Sequence, residues 1–212
     1  MHLLFDLDGT LTNPQQGITA CIQHAFRELG EPVPDAATLT GWIGPPLQES
    51  FLTVLGDRDR AAQAVQFYRD RFSTIGLYEN QVYAGLPATL ADLRQAGHQL
   101  WVCTSKPQVF AHKIVEHFAL APLFQGVYGS ELTGDRAYKA DLIAYVLQSE
   151  RIRPEAAVMI GDRHHDIHGA QQNGLRAIGV TWGFGAAAEL KQAGAERLCQ
   201  RPADLAGSLR LL

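Results

Sequence analysis

The sequence predicts an α/β protein, a doubly wound parallel sheet with an inserted, all-helical cap. Three observations lead to this prediction. A short apolar run at residues 3–5 has the length of a buried strand. Residues 13–81 contain only helical periodicity and turns. From residue 82 onward, strand-like and helix-like segments alternate to the end of the chain, as expected for parallel strands covered by helices on both faces.

The predicted cap consists of three helical segments. The first covers residues 18–29, where apolar side chains recur at three- and four-residue intervals until Gly30 ends the helix. The second covers residues 38–55 and is interrupted by a Gly-Pro-Pro turn at 44–46, and the third covers residues 58–72. We therefore predict a helical cap domain of residues 13–81, inserted into an α/β core domain made of residues 1–12 and 82–212.

The predicted core is a series of alternating helices and strands. A helix opened by Pro87 ends at Gly97 and leads into a strand over residues 99–104. The elements that follow are predicted, in chain order, as a helix over 107–118, a strand over 126–130, a helix over 140–149, a strand over 156–160, a helix over 166–173, a strand over 176–181, and a strand and helix between 197 and 211.

The composition is typical of a globular protein, with 46% hydrophobic and 19% charged residues. A net charge of −4 without a basic stripe argues against nucleic acid as a partner. We expect a small-molecule partner and a monomer or homodimer. Cys21, Cys103 and Cys199 lack C-x-x-C spacing, and no apolar run is long enough to span a bilayer. These features predict reduced thiols, no membrane association and a cytoplasmic location.

Polar residues follow the predicted strands at the end where parallel α/β sheets bind ligands. Asp6 and Asp8 come directly after the first strand, and Gly9 lets the chain turn away behind them. The other polar residues expected at this rim are Thr104, Ser105 and Lys106 after a second strand, Lys139 in a loop region, and Asp162 with Asp166 after a third strand.

The residue types at this rim predict a metal-assisted phosphoryl-transfer site. Carboxylates that face one another repel unless a cation lies between them, and hard oxygen ligands favour Mg²⁺. An attacking carboxylate, a second carboxylate that transfers a proton, a hydroxyl and a lysine suit this reaction. Each also has an ordinary interpretation when taken alone: Thr104 as a strand-end hydroxyl, Lys139 as a solvated lysine and Asp162 as a helix cap.

The order of these residues resembles the four motifs of the haloacid dehalogenase (HAD) superfamily. The first motif is Asp6-Leu-Asp8-Gly-Thr, the second is Thr104, the third is Lys139, and the fourth is Gly-Asp-Arg-His-His-Asp at 161–166. The resemblance extends over the whole chain, including a helical cap after the first motif. It implies a Rossmann-like HAD core.

The resemblance also implies a role for each motif residue. Asp6 is expected to be the nucleophile that forms an aspartyl-phosphate, and Asp8 the general acid and base. Thr104, with the neighbouring Ser105 and backbone amides, is expected to bind the phosphoryl group. Lys139 is expected to steady the nucleophile and the phosphate. The implied Mg²⁺ ligands are Asp6, Asp8 and Asp162, with Asp166 supporting the metal site or Lys139.

Within the superfamily, the chain is most similar to the phosphoglycolate phosphatase-like branch, which also contains 5′-nucleotidases. The similarity rests on the cap position and on residues 43–47 and 180–185. It implies a Mg²⁺-dependent phosphomonoester hydrolase for a small phosphorylated metabolite, with phosphoglycolate as first choice and a nucleoside monophosphate as the alternative. Gly44 is expected to line the substrate pocket, and Trp42, Trp182 or Phe184 to stack on a base in the alternative.

Other interpretations stay open on the sequence alone. The chain could be a non-catalytic phosphate-binding or regulatory protein on the same fold, or a receiver module, although a receiver would lack the inserted helical block. His164 and His168 have the spacing of two zinc ligands on one helix face. The glycines at 183 and 185 superficially match a dinucleotide-binding fingerprint, but few strands follow them.

Overall fold

The structure, a computed structural model, describes residues 1–212 and contains a six-stranded parallel sheet. The strands are β1 (His2–Phe5), β2 (Thr12–Asn13), β3 (Gln81–Val82), β4 (Gln99–Pro107), β5 (Gly126–Ser130), β6 (Ala157–Gly161), β7 (Arg176–Val180) and β8 (Arg197–Cys199). The large sheet has the order β5-β4-β1-β6-β7-β8, with every pair parallel, and β2 pairs with β3. The predicted α/β class with a parallel sheet is confirmed.

Nine α-helices accompany the strands: α1 (Gln15–Glu28), α2 (Leu47–Leu55), α3 (Arg58–Arg71), α4 (Leu86–Gln95), α5 (Gln108–His117), α6 (Lys139–Ser149), α7 (His164–Gln172), α8 (Ala187–Gln192) and α9 (Leu205–Arg210). None of them combines the length and the apolar character that crossing a membrane requires. The chain forms two compact units, one made of Met1–Thr12 with Val82–Leu212 and the other of Asn13–Gln81. The second unit contains α1, α2 and α3, and the first contains the large sheet.

β1 lies at the centre of the large sheet. Its register pairs Phe5 with Val102 of β4 on one side and with Ile160 of β6 on the other. Leu3, Leu4 and Phe5 are completely buried, which is why this strand is a continuous apolar run. The residue that follows, Asp6, is therefore placed between the ends of β4 and β6.

Several element boundaries differ from the predicted ones, and the two largest of these differences near the carboxyl ends of the strands are in β4 and α7. β4 extends to Pro107, and its pairing with β5 shifts register between Thr104 and Pro107. α7 begins at His164, two residues earlier than predicted. The reason is that the Asp166 carboxylate accepts a hydrogen bond from the Arg163 backbone N–H and so caps the helix.

The second unit contains an aromatic cluster. The Trp42 and Phe51 rings are 5.3 Å apart between centroids, and the Phe26 and Phe51 rings 5.7 Å apart. Trp42 therefore packs inside this unit, which is the ordinary role of an aromatic side chain. Gly44 is exposed and has a φ of 112°, a conformation that favours glycine.

Candidate active site

Three buried carboxylates meet at the carboxyl end of the large sheet. Asp6 follows β1, Asp162 follows β6, and Asp166 lies in the first turn of α7. One carboxylate oxygen from each lies within 4.8 Å of the other two. The contact arises because β1 and β6 are neighbours, and the Asp6 N–H continues their pairing by donating to the Ile160 carbonyl at 3.0 Å. The sequence-based placement of these residues at one rim agrees with this geometry.

Lys139 is the counter-charge of this cluster. Its Nζ atom lies 2.9 Å from Asp6 Oδ1, 2.8 Å from Asp166 Oδ1 and 2.9 Å from the Cys103 carbonyl oxygen. Nζ donates hydrogen bonds to Asp6 Oδ1 and to the Cys103 carbonyl, and its contact with Asp166 Oδ1 is an ion pair. Burial alone would lower the pKa of Lys139, but the carboxylates of Asp166 and Asp6 outweigh burial and raise it. Lys139 is thus a fixed cation that orients the predicted nucleophile.

Asp162 is enclosed by backbone from two loops. Its Oδ2 accepts a hydrogen bond from the Phe184 N–H at 2.7 Å, and its Oδ1 accepts one from the Thr10 hydroxyl at 3.3 Å. A Cβ atom at Gly9 would lie 2.2 Å from Oδ2, and one at Gly183 would lie 2.4 Å from the same atom. Glycine is therefore required at both positions by close approach. In this structure the role of Gly183 is packing against Asp162.

The segment after β7 also holds the loop of the first motif. The Trp182 indole Nε1–H donates to the Thr10 carbonyl at 3.0 Å, and the Trp182 ring contacts the Tyr83 ring edge-on at 6.4 Å between centroids. Trp182 therefore stabilises the loop next to Asp8. This contact gives a structural reason for a tryptophan in the 180–185 segment.

The electrostatics of the carboxylate cluster favour a bound cation. Burial raises the pKa of Asp162 to about 8, and the neighbouring carboxylates of Asp166 and Asp6 contribute to the increase. Burial also raises the pKa of Asp166 to about 6, against the opposing effect of Lys139. Three buried carboxylates thus face one ammonium group. Their hard oxygen ligands and excess negative charge fit a divalent cation such as Mg²⁺.

Asp8 is arranged differently from the other carboxylates. Its Oδ2 forms an ion pair with Lys106 Nζ, in which the two side chains are only 12% and 6% exposed. Its Oδ1 is buried and has no hydrogen-bond partner. Burial raises the pKa of Asp8, while Lys106 opposes the increase. The predicted set of metal ligands contained Asp8, whereas the side chains that the structure groups are those of Asp6, Asp162 and Asp166.

The end of β4 supplies the predicted phosphate-binding residues. Thr104 is buried, and its Oγ1 accepts a hydrogen bond from the Lys106 N–H at 3.3 Å. The Ser105 carbonyl accepts a hydrogen bond from the Ser130 hydroxyl at 2.8 Å. Thr104 and Ser105 are therefore held at the rim beside β1. Sequence reasoning located Lys106 at this rim but gave it no role.

His164, two residues after Asp162, is held by a residue that sequence reasoning missed. Glu189 Oε1 accepts hydrogen bonds from the His164 backbone N–H at 3.0 Å and from Arg163 Nε at 3.1 Å, and lies 2.7 Å from His164 Nδ1. Asp6, Asp162 and Asp166 form the one group of three potential metal ligands in residues 1–212. A zinc site on His164 and His168 therefore has no third ligand.

A family model for haloacid dehalogenase-like hydrolases matches residues 3–180. The chain belongs to this family. The HAD membership predicted from the motifs is therefore confirmed, as is the prediction of an enzyme, a HAD-type phosphoric monoester hydrolase. The predicted site roles, the cytoplasmic location and the oligomeric state stay predictions.

Several HAD proteins are similar to this chain over most of its length. A Pseudomonas aeruginosa protein named 5′-nucleotidase is 48% identical over 212 residues, covering all of this chain and 95% of that protein. A Pseudomonas putida phosphoglycolate phosphatase is 24% identical, covering 86% of this chain and 70% of that protein. The crystal structure of a predicted phosphatase from Clostridium acetobutylicum has a TM-score of 0.95 at 42% identity, covering 100% of this chain and 98% of that one.

One further relative is named for a different activity. The tyrosine-protein kinase PtkA of Mycobacterium tuberculosis is 40% identical over 185 residues, which is 87% of this chain. This chain spans 63% of the length of that protein.

Proposed function

We propose that this HAD hydrolase is a Mg²⁺-dependent phosphatase that hydrolyses nucleoside 5′-monophosphates through an aspartyl-phosphate on Asp6. The observation that carries the choice of substrate is the 48% identity, along the whole chain, to the P. aeruginosa protein named 5′-nucleotidase. The P. putida phosphoglycolate phosphatase is 24% identical. The proposal therefore reverses the order of the two substrates expected from the sequence, and phosphoglycolate becomes the second candidate.

The first chemical step uses the fixed position of Asp6. Lys139 holds Asp6 Oδ1 at 2.9 Å and leaves Oδ2 for attack on phosphorus. The new O–P bond forms on Asp6 as the ester O–P bond breaks, and the leaving alcohol takes a proton from Asp8. Thr104, at the end of β4, is the hydroxyl that would bind a phosphoryl oxygen.

The second step returns the enzyme to its starting state. Asp8 removes a proton from water, the water oxygen attacks phosphorus, and the bond to Asp6 breaks to release inorganic phosphate. Asp6, Asp162 and Asp166 are the side chains that would hold Mg²⁺. When bound, the ion would offset the charge of these carboxylates and of the phosphate oxygens.

The proposed substrate is tested by comparing kcat/KM for a panel of nucleoside 5′-monophosphates with kcat/KM for phosphoglycolate at saturating Mg²⁺. We expect at least one nucleotide to be preferred by about tenfold or more, which corresponds to about 1.4 kcal/mol of transition-state binding. The same assays in excess EDTA should show no turnover until Mg²⁺ is restored.

Two results would contradict the proposal. A tenfold preference for phosphoglycolate would select the second candidate. Full activity in EDTA would remove the metal from the mechanism, because a metal-free cluster of three carboxylates would then suffice for catalysis.

A further inference from the structure

Lys106 is a buried cation in contact with the predicted acid–base residue. Its Nζ lies 2.5 Å from Asp8 Oδ2, and the Lys106 side chain is only 6% exposed. A lysine seldom becomes this buried unless it is paired. Separating the two side chains of such a pair would leave two buried charges unpaired, which is strongly unfavourable. The pair therefore holds the Asp8 carboxylate in one position.

The position of Lys106 is built by the irregular end of β4. The Lys106 N–H donates to Thr104 Oγ1 at 3.3 Å, and the β4–β5 pairing shifts register at this point. On the other side, a Cβ atom at Gly129 would lie only 2.5 Å from the Lys106 carbonyl oxygen. The backbone of Lys106 is therefore fixed between the predicted phosphate-binding hydroxyl and a glycine on β5.

The ion pair gives the two oxygens of Asp8 different surroundings. Oδ2 is held by Lys106, whereas Oδ1 is buried without a hydrogen-bond partner. A buried polar atom without a partner is uncommon in a folded protein and calls for an explanation. Oδ1 is therefore the Asp8 oxygen that lacks a partner within the protein.

Lys139 is not available for this task. Its Nζ donates hydrogen bonds to Asp6 Oδ1 and to the Cys103 carbonyl, and it forms an ion pair with Asp166 Oδ1. The site thus contains two buried lysines with separate partners, one on the predicted nucleophile and one on the predicted acid–base residue.

We propose that Lys106 is a positioning residue that holds Asp8 Oδ2 so that Oδ1 faces the leaving-group oxygen and transfers the proton. This inference rests on the proposed phosphatase mechanism and adds a residue outside the four sequence motifs. Lys106 acts through Asp8, so its removal should impair reactions in proportion to how much the leaving group needs protonation.

The test uses aryl phosphates that differ in their leaving group. Phenyl phosphate expels a basic phenolate that benefits from protonation, whereas 2,4-dinitrophenyl phosphate expels an anion that does not. The value of kcat/KM covers all steps up to release of the leaving group, so it reports on this proton transfer. We expect Lys106→Met to lower kcat/KM for phenyl phosphate by about 10- to 100-fold and for 2,4-dinitrophenyl phosphate by less than about threefold.

A double-mutant cycle tests whether Lys106 works through Asp8. The variant with both Asp8→Asn and Lys106→Met should be no slower on phenyl phosphate than Asp8→Asn alone, because the second change removes a residue whose target is already lost. Lys113→Met, an exposed change on α5, is the matched control and should keep wild-type rates. Lys106→Gln, which keeps a hydrogen-bond donor, replaces Lys106→Met if the latter does not fold.

The outcomes separate this inference from the proposed function. Wild-type turnover of the aryl phosphates with Mg²⁺ tests the phosphatase mechanism. The ratio of the kcat/KM values for the two esters, compared between the variants and the wild type, tests the positioning role of Lys106. An equal loss on both esters would overturn the inference and indicate that Lys106 contacts the phosphoryl group. Additive losses in the double variant, or an unchanged Lys106→Met enzyme, would also overturn it.

Discussion

Replacing Asp162 with asparagine should stabilise the metal-free protein and abolish its response to Mg²⁺. The substitution removes one of three buried carboxylates and keeps the side-chain shape. An asparagine can still accept the Phe184 N–H through its carbonyl oxygen, and its NH₂ group can donate to the Thr10 hydroxyl, which changes from donor to acceptor. The substitution therefore removes the charge while both hydrogen bonds can be kept.

The expected magnitude follows from the pKa of Asp162. Burial, with the nearby Asp166 and Asp6 carboxylates, raises this pKa from 3.8 to about 8. At pH values between the unfolded-state pKa and the higher folded-state pKa, the folded chain binds more protons than the unfolded chain. Stability is therefore lost as the pH rises from about 4 to about 8. At pH 7 this amounts to at most about 4 kcal/mol in the free energy of unfolding.

The assay is thermal or urea unfolding of the wild type and Asp162→Asn at several pH values between 5 and 8.5, in EDTA and in Mg²⁺. In EDTA, the variant should be more stable than the wild type at pH 7.5, and its stability should depend less on pH. In Mg²⁺, the wild type should gain stability by mass action and the variant should gain little. Asp92→Asn, an exposed change on α4, serves as the control.

Two observations would refute this reasoning. If Asp162→Asn were less stable than the wild type in EDTA at pH 7.5, the Asp162 carboxylate would stabilise the fold through contacts that outweigh its burial and its repulsion from Asp6 and Asp166. If both proteins gained equally from Mg²⁺, the ion would bind elsewhere.

Further predictions concern the predicted nucleophile Asp6, Gly183, and Glu189, which contacts the fourth motif. Asp6→Asn should eliminate turnover while the protein stays folded, as circular dichroism can check. In the wild type, phosphate trapped by acid quench on any residue other than Asp6 would contradict the assignment. Gly183→Ala should weaken Mg²⁺ binding, measured by calorimetry, because a methyl group there collides with Asp162; unchanged affinity would show that the loop adapts. Burial raises the pKa of Glu189, but hydrogen bonds from His164 and Arg163 outweigh it and lower the pKa to about 2. The wild type should therefore lose stability as the pH falls from about 4.5 toward 2, whereas Glu189→Gln should lack this component in acid unfolding.

The parts of the site that could be predicted are those placed by strand ends. Asp6 follows one continuous apolar run and Asp162 follows another. A parallel sheet therefore brings both residues to one rim, whatever conformation the loops adopt. Lys139 was placed at the same rim because its loop follows a predicted strand, and the structure puts its ammonium group between Asp6 and Asp166.

The parts that could not be predicted depend on how side chains pair across loops. The sequence does not indicate that the Asp8 side chain pairs with Lys106 while the Asp166 side chain lies beside Asp6 and Asp162. The spacing of these residues along the chain is equally compatible with Asp8 lying beside Asp6 and Asp162. Glu189 lies on α8, and its contact with Arg163 depends on how that short helix packs beside α7. Such pairing is decided by distances of a few ångströms, which periodicity does not encode.

The central place of β1 has a consequence for how the protein is made. Phe5 pairs with Val102 and Ile160, so the strand can gain its first neighbour only after residue 102 has been made and its second only after residue 160. Loops this long close slowly, and an apolar strand waiting for its neighbours is exposed to aggregation. Asp6 can meet Lys139 and Asp166 only after both have emerged, so a nascent chain that stops before residue 166 contains the nucleophile without a reaction centre.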